Sequence, residues 1–478
     1  MSAQPIRGLT LFREQVEAKD QCHQDVTPVP SAKALKVASF FSGIGGFDRA
    51  FELESGSVVF QCEKDKFCRA VLARHWPDMA ISKDIRELEP GEIPDADVWA
   101  AGFPCQDVSL ARGHHGRTGL RGNHTSLFYT LAALLKTKSP KVVLLENVAG
   151  LLNSHKGHDF AVILRELTSQ GYAVSWRVMN ARYFGAPQSR GRVFICAWKG
   201  DCASALRTLF ETEPGAKPGP ERAAFLTEQK HKQTGAKVAQ IAYCVSATSG
   251  RHTGLDWARS YISYGDGVRR PTPTESERLQ GFPAGWTVPG DEYRPPARGL
   301  DSERYKAAGN AVAVPVVQWI AHRLSALFNE GTKGHRLAEL ETLALDYAPD
   351  LKNQTNWLDF EHIEADLLAG QFVHRWKPGG CAFGSKIVEG KASSAPAKII
   401  NASFVDALDP TIPDQRYFLT PNAAVGILRR ADGEGRNLFP PMRRALEILV
   451  RRTRLPASAV STMIGEAVVQ TGICKVGV

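Results

Sequence analysis

Between residues 36 and 200, short apolar runs alternate with amphipathic stretches, and most runs close on glycine, proline or an acid. Lys36-Val37-Ala38-Ser39-Phe40 predicts a first strand, and the glycine-rich turn that follows leads into a helix through Ala50, Phe51 and Leu53. Further strands are predicted at Val58 to Cys62, before Lys83-Asp84-Ile85, at Val98 to Ala101, Val142 to Leu145, Val174 to Val178 and Val193 to Cys196. Between them Leu127, Phe128, Leu131, Leu134 and Leu135, and then Phe160, Ile163, Leu164 and Leu167, recur at helical spacing. Strands that are apolar throughout are buried on both faces, as in a parallel sheet covered by helices. The pattern therefore predicts an α/β, Rossmann-like, doubly wound sheet.

Outside that block the pattern changes. Residues 1–34 lack sustained periodicity and read as an N-terminal arm. From Trp198 to about Arg270 the periodicity breaks down, with a Pro/Gly-rich run at Glu211 to Arg222 and a polar run at Ser246 to Arg251. Val316, Val317, Ile320, Leu324 and Leu327 then predict a helix that returns the chain to the first domain. Residues 377–397 read as a linker or loop-rich insert. Thr420-Pro421 and Pro440-Pro441 open two helices decorated by Arg429, Arg430, Arg443, Arg444, Arg451, Arg452 and Arg454.

The 478 residues, 43% of them hydrophobic, suit a soluble chain of two or three domains. No run approaches the roughly 18 uninterrupted apolar residues of a membrane span, and Met1 to Gln21 has no apolar centre, so a cytoplasmic protein is expected. Nine cysteines without CxxC pairs suggest neither a disulfide framework nor a metal site. A net charge of +9 leans towards a polyanionic partner.

The candidate chemistry gathers where predicted strands end, the edge at which open α/β sheets carry their sites. Gly102-Phe103-Pro104-Cys105-Gln106 follows an apolar strand, and Pro104 restricts the backbone so that the thiol is held in one direction. The turn Phe41-Ser42-Gly43-Ile44-Gly45-Gly46 allows close approach of a nucleotide-like ligand. Glu63, about 20 residues on, would accept hydrogen bonds from ribose hydroxyls, and Asp84 ends the next strand; together they suit an adenosine cofactor. Glu146-Asn147-Val148 delivers another carboxylate to the same edge. In Gln188-Ser189-Arg190-Gly191-Arg192 two arginines at alternate positions face one way.

Taken in order with Arg278-Leu279-Gln280-Gly281-Phe282-Pro283 and Gly309-Asn310-Ala311-Val312-Ala313-Val314-Pro315, these motifs resemble the DNA cytosine-5 methyltransferase family over residues of about 35 to 328; Arg304 to Asn310 resembles phage and prophage members. The resemblance implies S-adenosyl-L-methionine held by Phe41, Ser42, Gly43, Gly45, Gly46, Glu63, Asp84, Ile85, Pro104, Asn310 and Val312. It implies Cys105 as nucleophile at cytosine carbon 6, Glu146 as the acid at ring nitrogen 3, Arg192 orienting Glu146, and Arg190 near the thiol and the backbone. Ala311 stands where many relatives have serine, so no hydroxyl contact is carried over. The implied architecture is a catalytic domain at 35–198, a smaller target-recognition region at 199–275, a return segment at 276–328, a linker or insert at 329–397 and a small, basic, mostly helical C-terminal module at 398–478. The implied partner is double-stranded DNA, contacted by Gln106, Ser109, Gln188, Arg251, Arg270, Arg429, Arg430 and Arg443, with His252, Arg259 and Arg269 as further candidates. A cognate restriction endonuclease is a second partner, and a monomer near the nucleoid is the expected state. An RNA enzyme on the same fold, a non-catalytic DNA-binding relative and a thiol hydrolase using His114 or His115 are the competing readings; the last leaves the adenosine-site acids unexplained.

Overall fold

The computed structural model describes residues 34–104, 127–217, 224–249, 256–330, 346–351, 356–369 and 371–454. Strands β1 (Lys36–Phe40), β2 (Ser57–Cys62), β3 (Ile81–Ser82), β4 (Val98–Ala101) and β5 (Val142–Val148) run parallel in the order β3-β2-β1-β4-β5. β6 (Tyr172–Asn180) continues the sheet. A short strand β7 (Gln188–Ser189) leads into β8 (Gly191–Lys199), which inserts between β5 and β6 antiparallel to both.

Residue alternation divides the core. Val37, Val98, Ala100, Val142 and Leu144 face one layer, made by α1 (Gly46–Leu53), α2 (Lys66–His75), α5 (Cys202–Leu209) and α8 (Val314–Glu330). Ala38, Trp99, Ala101, Val143 and Leu145 face the other, made by α3 (Leu127–Lys138) and α4 (His158–Ser169), with Phe360 and Ile363 of α9 (Phe360–Leu368) added to it. Both faces are covered, as the unbroken apolar strands require. The stretch Asp301–Glu330, which contains α7 (Asp301–Asn310) and α8, is long and apolar enough to cross a membrane by length and composition. Val317, Ile320 and Leu324 of α8 are instead buried in the first layer.

Three boundaries differ from expectation. Helix α5 lies in the segment assigned to the recognition region, but Cys202, Leu206 and Leu209 belong to the sheet core. Residues of the expected linker or insert form β14 (Asn356–Asp359), β15 (Gly379–Phe383) and β16 (Lys386–Gly390), which extend the main sheet beyond β6 in the order β6-β15-β16-β14, all antiparallel. A second sheet, β13 (Val268–Arg269), β12 (Ile262–Ser263), β10 (Lys237–Ala239) and β9 (Glu228–Lys230), carries α10 (Pro421–Gly433) and α11 (Pro440–Arg454) in one shared core, so the C-terminal helices do not form the separate module expected at 398–478. Between β10 and β12, β11 (Ala242–Tyr243) leaves that sheet and pairs in parallel with β7.

On the inner side of α1, Asp48 is fully buried and accepts hydrogen bonds from Ser39 Oγ and Gln61 Nε2, each at 2.9 Å. Burial pushes its carboxyl up to about 6. From the unfolded value near 4 up to that point the folded chain holds the extra proton, so stability falls as pH rises through the window. Asp48→Asn is expected to remove this loss, worth at most about 3 kcal/mol. Urea denaturation of parent and variant at a series of pH values should show curves that separate as pH rises through the window; parallel curves would refute the assignment.

Candidate active site

The first βα turn makes one wall of the site. Phe41 takes φ +52°, Gly43 +56° and Gly45 +82°, a left-handed path that turns the chain sharply into α1. A Cβ on Gly45 would also meet the Trp76 ring at 2.5 Å, so α2 packs closely against this turn. Ser42 ties the turn back to β1 and β2, its Oγ donating to the carbonyl of Ser39 at 3.0 Å and its N–H to that of Cys62 at 3.1 Å. Glu63, at the end of β2, accepts from the Gly43 N–H at 2.8 Å and from the Asp65 N–H at 2.6 Å. Burial raises its carboxyl above the usual range. Asp84 is the opposite case: Arg86 Nε donates to it at 2.9 Å and Lys64 Nζ lies 3.2 Å away, so hydrogen bonding to Arg86 holds it well below the usual carboxylate range.

Glu146 lies in the second half of β5, two residues before its end, with apolar strand residues before it. Burial raises its carboxyl, against the opposing pull of Arg192 and then Arg190. Arg192 Nε stands 3.1 Å from Glu146 Oε1, yet that oxygen is buried without an aligned hydrogen bond among the described residues. The next residue, Asn147, donates from Nδ2 to the carbonyl of Phe103 at 2.9 Å and so fixes the end of β4 against the end of β5. The sequence pattern around Glu146 contains Asn147 but gives no sign of this role, because its partner lies 44 positions away.

These parts share one cavity of about 600 Å³, lined among others by Phe41, Glu63, Asp84, Pro104, Glu146 and Arg192. Ser42, Gly43, Gly46, Ile85, Asn310 and Val312 also border it, whereas Gly45 acts behind it through Trp76. Lys306, which pairs with Asp65 at 2.7 Å, borders it without having been anticipated. Cys105, Gln106, Ser109, Arg251 and His252 lie outside the described residues.

Several anticipated contacts are committed elsewhere. The buried Arg190 guanidinium donates to the carbonyls of Val245 at 2.9 Å, Gly309 at 3.2 Å and Ala311 at 2.7 Å. It fastens three distant segments to the cavity that it also borders. Gln188, expected at DNA, is fully buried: Nε2 donates to Leu279 O and Gln280 Oε1, both at 2.7 Å, and Oε1 accepts from the Val245 N–H at 2.9 Å. Arg269 is buried in a two-pronged pair with Glu275 at 2.7 and 2.8 Å. Arg430 pairs with the buried Asp256 at 2.7 Å, and Arg443 with Asp432 at 2.8 Å and Glu447 at 3.1 Å. Arg270 and Arg259 border a second cavity, of about 290 Å³, with Tyr243 and Cys244. Cys244, also unanticipated, lies 3.4 Å from Arg190 Nη1 and 4.0 Å from Arg192 Nη2.

The model of the C-5 cytosine-specific DNA methylase family matches residues 35–245 and 221–326, more than half of the chain. The chain belongs to that family. It is 32% identical over 319 residues to the Type II methyltransferase M.NgoBI of Neisseria gonorrhoeae, covering 61% of this chain and 94% of the relative. To the Type II methyltransferase M.HaeII of Haemophilus aegyptius it is 31% identical over 323 residues, covering 63% and 96%. Among solved structures it is similar to the S. pombe Dnmt2 methyltransferase, with a TM-score of 0.44 and 18% identity over 62% of this chain and 99% of that one.

The methylase is accordingly an S-adenosylmethionine-dependent DNA cytosine-5 methyltransferase. Its cavity fits that cofactor on donor chemistry. Two strand-end carboxylates and an aromatic ring border a space within the range of small-molecule pockets. Glu63→Gln keeps the shape but gives up one of two charge-assisted acceptor positions, which are worth about 1.5–3 kcal/mol apiece. Calorimetric titration with S-adenosylhomocysteine is expected to show affinity lower by about tenfold or more; unchanged affinity would remove Glu63 from the cofactor site.

Proposed function

We propose that this methylase acts on a cytosine turned out of double-stranded DNA, with Cys105 as nucleophile and Glu146 as the acid that activates the ring. The observation that carries the reading is the state of Glu146: a buried carboxyl with a raised pKa and an unaligned oxygen, in the same cavity as Phe41, Glu63 and Pro104. Pro104 is the residue immediately before Cys105.

Carbon 5 of cytosine is a weak nucleophile. Adding the Cys105 thiolate to carbon 6 gives the ring enamine character, and that addition needs the negative charge arriving at ring nitrogen 3 to be met by a proton. Glu146 supplies the proton, since burial favours its neutral form until ring nitrogen 3 takes it up. Arg192, 3.1 Å away, orients the acid and steadies the carboxylate left behind. S-adenosylmethionine, when bound, supplies the electrophilic methyl group. Loss of the carbon 5 proton to water then expels the Cys105 sulfur as thiolate, and ring nitrogen 3 returns its proton to Glu146, which restores the aromatic ring. A stacked base offers neither carbon 6 nor nitrogen 3 to such a cavity, so the cytosine enters it flipped. The Type II designation of the relatives supports a companion endonuclease of the same specificity and action in the cytoplasm.

The alternative of an RNA substrate makes a different prediction on the same preparation. Incubated with unmethylated plasmid DNA and with transfer RNA, the enzyme is expected to leave 5-methylcytosine in the DNA alone, at one sequence context in bisulfite reads. Cys105→Ala should abolish the mark, and Glu146→Gln should slow it by about 10²-fold or more with S-adenosylhomocysteine affinity intact. Methylation surviving in Cys105→Ala, or confined to RNA, would sink the proposal. With Glu146 active when protonated, the turnover rate should fall as pH rises through its raised pKa.

A further inference from the structure

The strands between β8 and the helix α6 (Pro273–Leu279) are two or three residues long, too little to bury a core by themselves. They are completed from the other end of the chain. Tyr261 and Val268 of the small sheet share their core with Ile427 of α10 and with Met442 and Leu446 of α11. Main-chain bonds reinforce the join: Arg270 N–H donates to the carbonyl of Tyr417 at 3.1 Å and Leu419 N–H to that of Val268 at 2.8 Å. Helix α11 lies across the sheet, with Arg444 3.8 Å from Glu228 on β9 and Arg452 ion-paired to Asp266 in the β12–β13 turn.

We propose that the small sheet, α10 and α11 form a single composite recognition unit whose outer arginines, Arg429, Arg436, Arg444 and Arg451, hold the phosphate backbone of duplex DNA. This rests on the DNA-methylating function above. Residues 421–454 contain eight arginines and three acids. Arg443 takes up two of those acids, Asp432 and Glu447. Arg430 is turned inward to Asp256. The arginines left on the outside are therefore scarcely neutralised from within the two helices; Arg429, Arg436, Arg444 and Arg451 are all exposed, and Arg444 has Glu228 of β9 at 3.8 Å, a long and exposed ion pair.

Their arrangement is ordered. Arg444, Ile448 and Arg451 follow one another at i, i+4 and i+7 along one exposed face of α11, and Val425 and Arg429 at i and i+4 on α10. Arg436 lies 5.8 Å over the Trp257 ring, which limits the freedom it would lose on binding. Guanidinium groups alternating with exposed aliphatic side chains suit a duplex, whose phosphates and sugars present a charge and an apolar surface in turn. Base reading then belongs to the strands and loops of the same unit nearer the catalytic cavity, where Cys244 and Val245 touch Arg190.

The test uses the full chain carrying Arg429→Gln, Arg436→Gln, Arg444→Gln and Arg451→Gln together, none of which borders the catalytic cavity. Binding to an unmethylated duplex is followed by fluorescence anisotropy across a salt series, alongside the thermal midpoint and S-adenosylhomocysteine affinity. The expected result is a log–log salt slope shallower by roughly 0.9 for each phosphate no longer neutralised, about 3 to 4 for the set, with midpoint and cofactor affinity unchanged. A slope and affinity equal to the parent's would overturn the proposal and leave the stripe to an acidic protein partner. If the combined variant is less stable, Arg429→Gln and Arg451→Gln singly must each reduce the slope by about one, and failure of both to do so overturns it equally. A parent enzyme that neither binds nor methylates DNA would instead refute the function on which the proposal stands.

Discussion

A carboxylic acid held in an apolar sheet, next to a guanidinium it does not align with, is the constraint from which the rest of this structure follows. Ionised, Glu146 would carry a charge among β4, β5 and β8 with little hydration, so burial favours its neutral form. Burial in the apolar walls raises the acid most, and Arg192 and then Arg190 oppose it. The direction of β8 makes this possible. Parallel strands deliver their carboxyl ends to the site, whereas an antiparallel neighbour delivers its beginning, and Arg192 stands opposite Val148, two residues beyond Glu146. A parallel β8 would carry the arginines to the far edge of the sheet.

Holding that geometry takes contacts between segments that are remote in sequence. Asn147 bonds to Phe103 and binds the acid-bearing strand to the loop that precedes the thiol. Arg190 bonds to Val245, Gly309 and Ala311, so its one guanidinium gathers the β7–β8 junction, the segment after β11 and the end of α7. Gln188 does the same for Val245, Leu279 and Gln280. Several residues of the sequence motifs are therefore bonded into the scaffold of the site. Buried donors of this kind leave several carbonyls unsatisfied when removed, which makes their loss costly whatever their distance from the chemistry.

The sequence makes the parallel half of the sheet legible because unbroken apolar runs have few alternatives to a two-sided burial, and the acids that close those runs fall where such sheets place ligands. Charge was legible, but partners were not. Arg430 looks like a surface arginine until Asp256, 174 positions earlier, is folded beneath it. Glycine misled in the opposite direction. Gly379-Gly380 resembles a flexible connector, yet a Cβ on Gly380 would lie 2.3 Å from the Trp176 ring. The glycines there serve close approach of β15 to β6. No local pattern separates these two uses, since the difference lies entirely in what the rest of the chain brings alongside.

The extra strands also change what the C-terminal third does for the catalytic domain. The family match ends at residue 326, and β14, β15, β16, α10 and α11 all lie beyond it. Without β15, β6 would present an unpaired edge, an invitation to association with other chains. With it, β15 pairs with β6 from Gly379 to Ala382, Lys377 O accepts from Trp176 Nε1 at 3.1 Å, and Arg177 is enclosed by the carbonyls of Leu209, Ser393 and Ala395. The chain then crosses from the main sheet to the second one, where Phe404 N–H meets the carbonyl of Gln240 at 2.8 Å. One continuous segment thus closes the edge of the main sheet and supplies much of the core beneath the second one. The relative setting of the two therefore depends on the part of the chain that the family motifs leave out as well as on Gln188 and Arg190 within them.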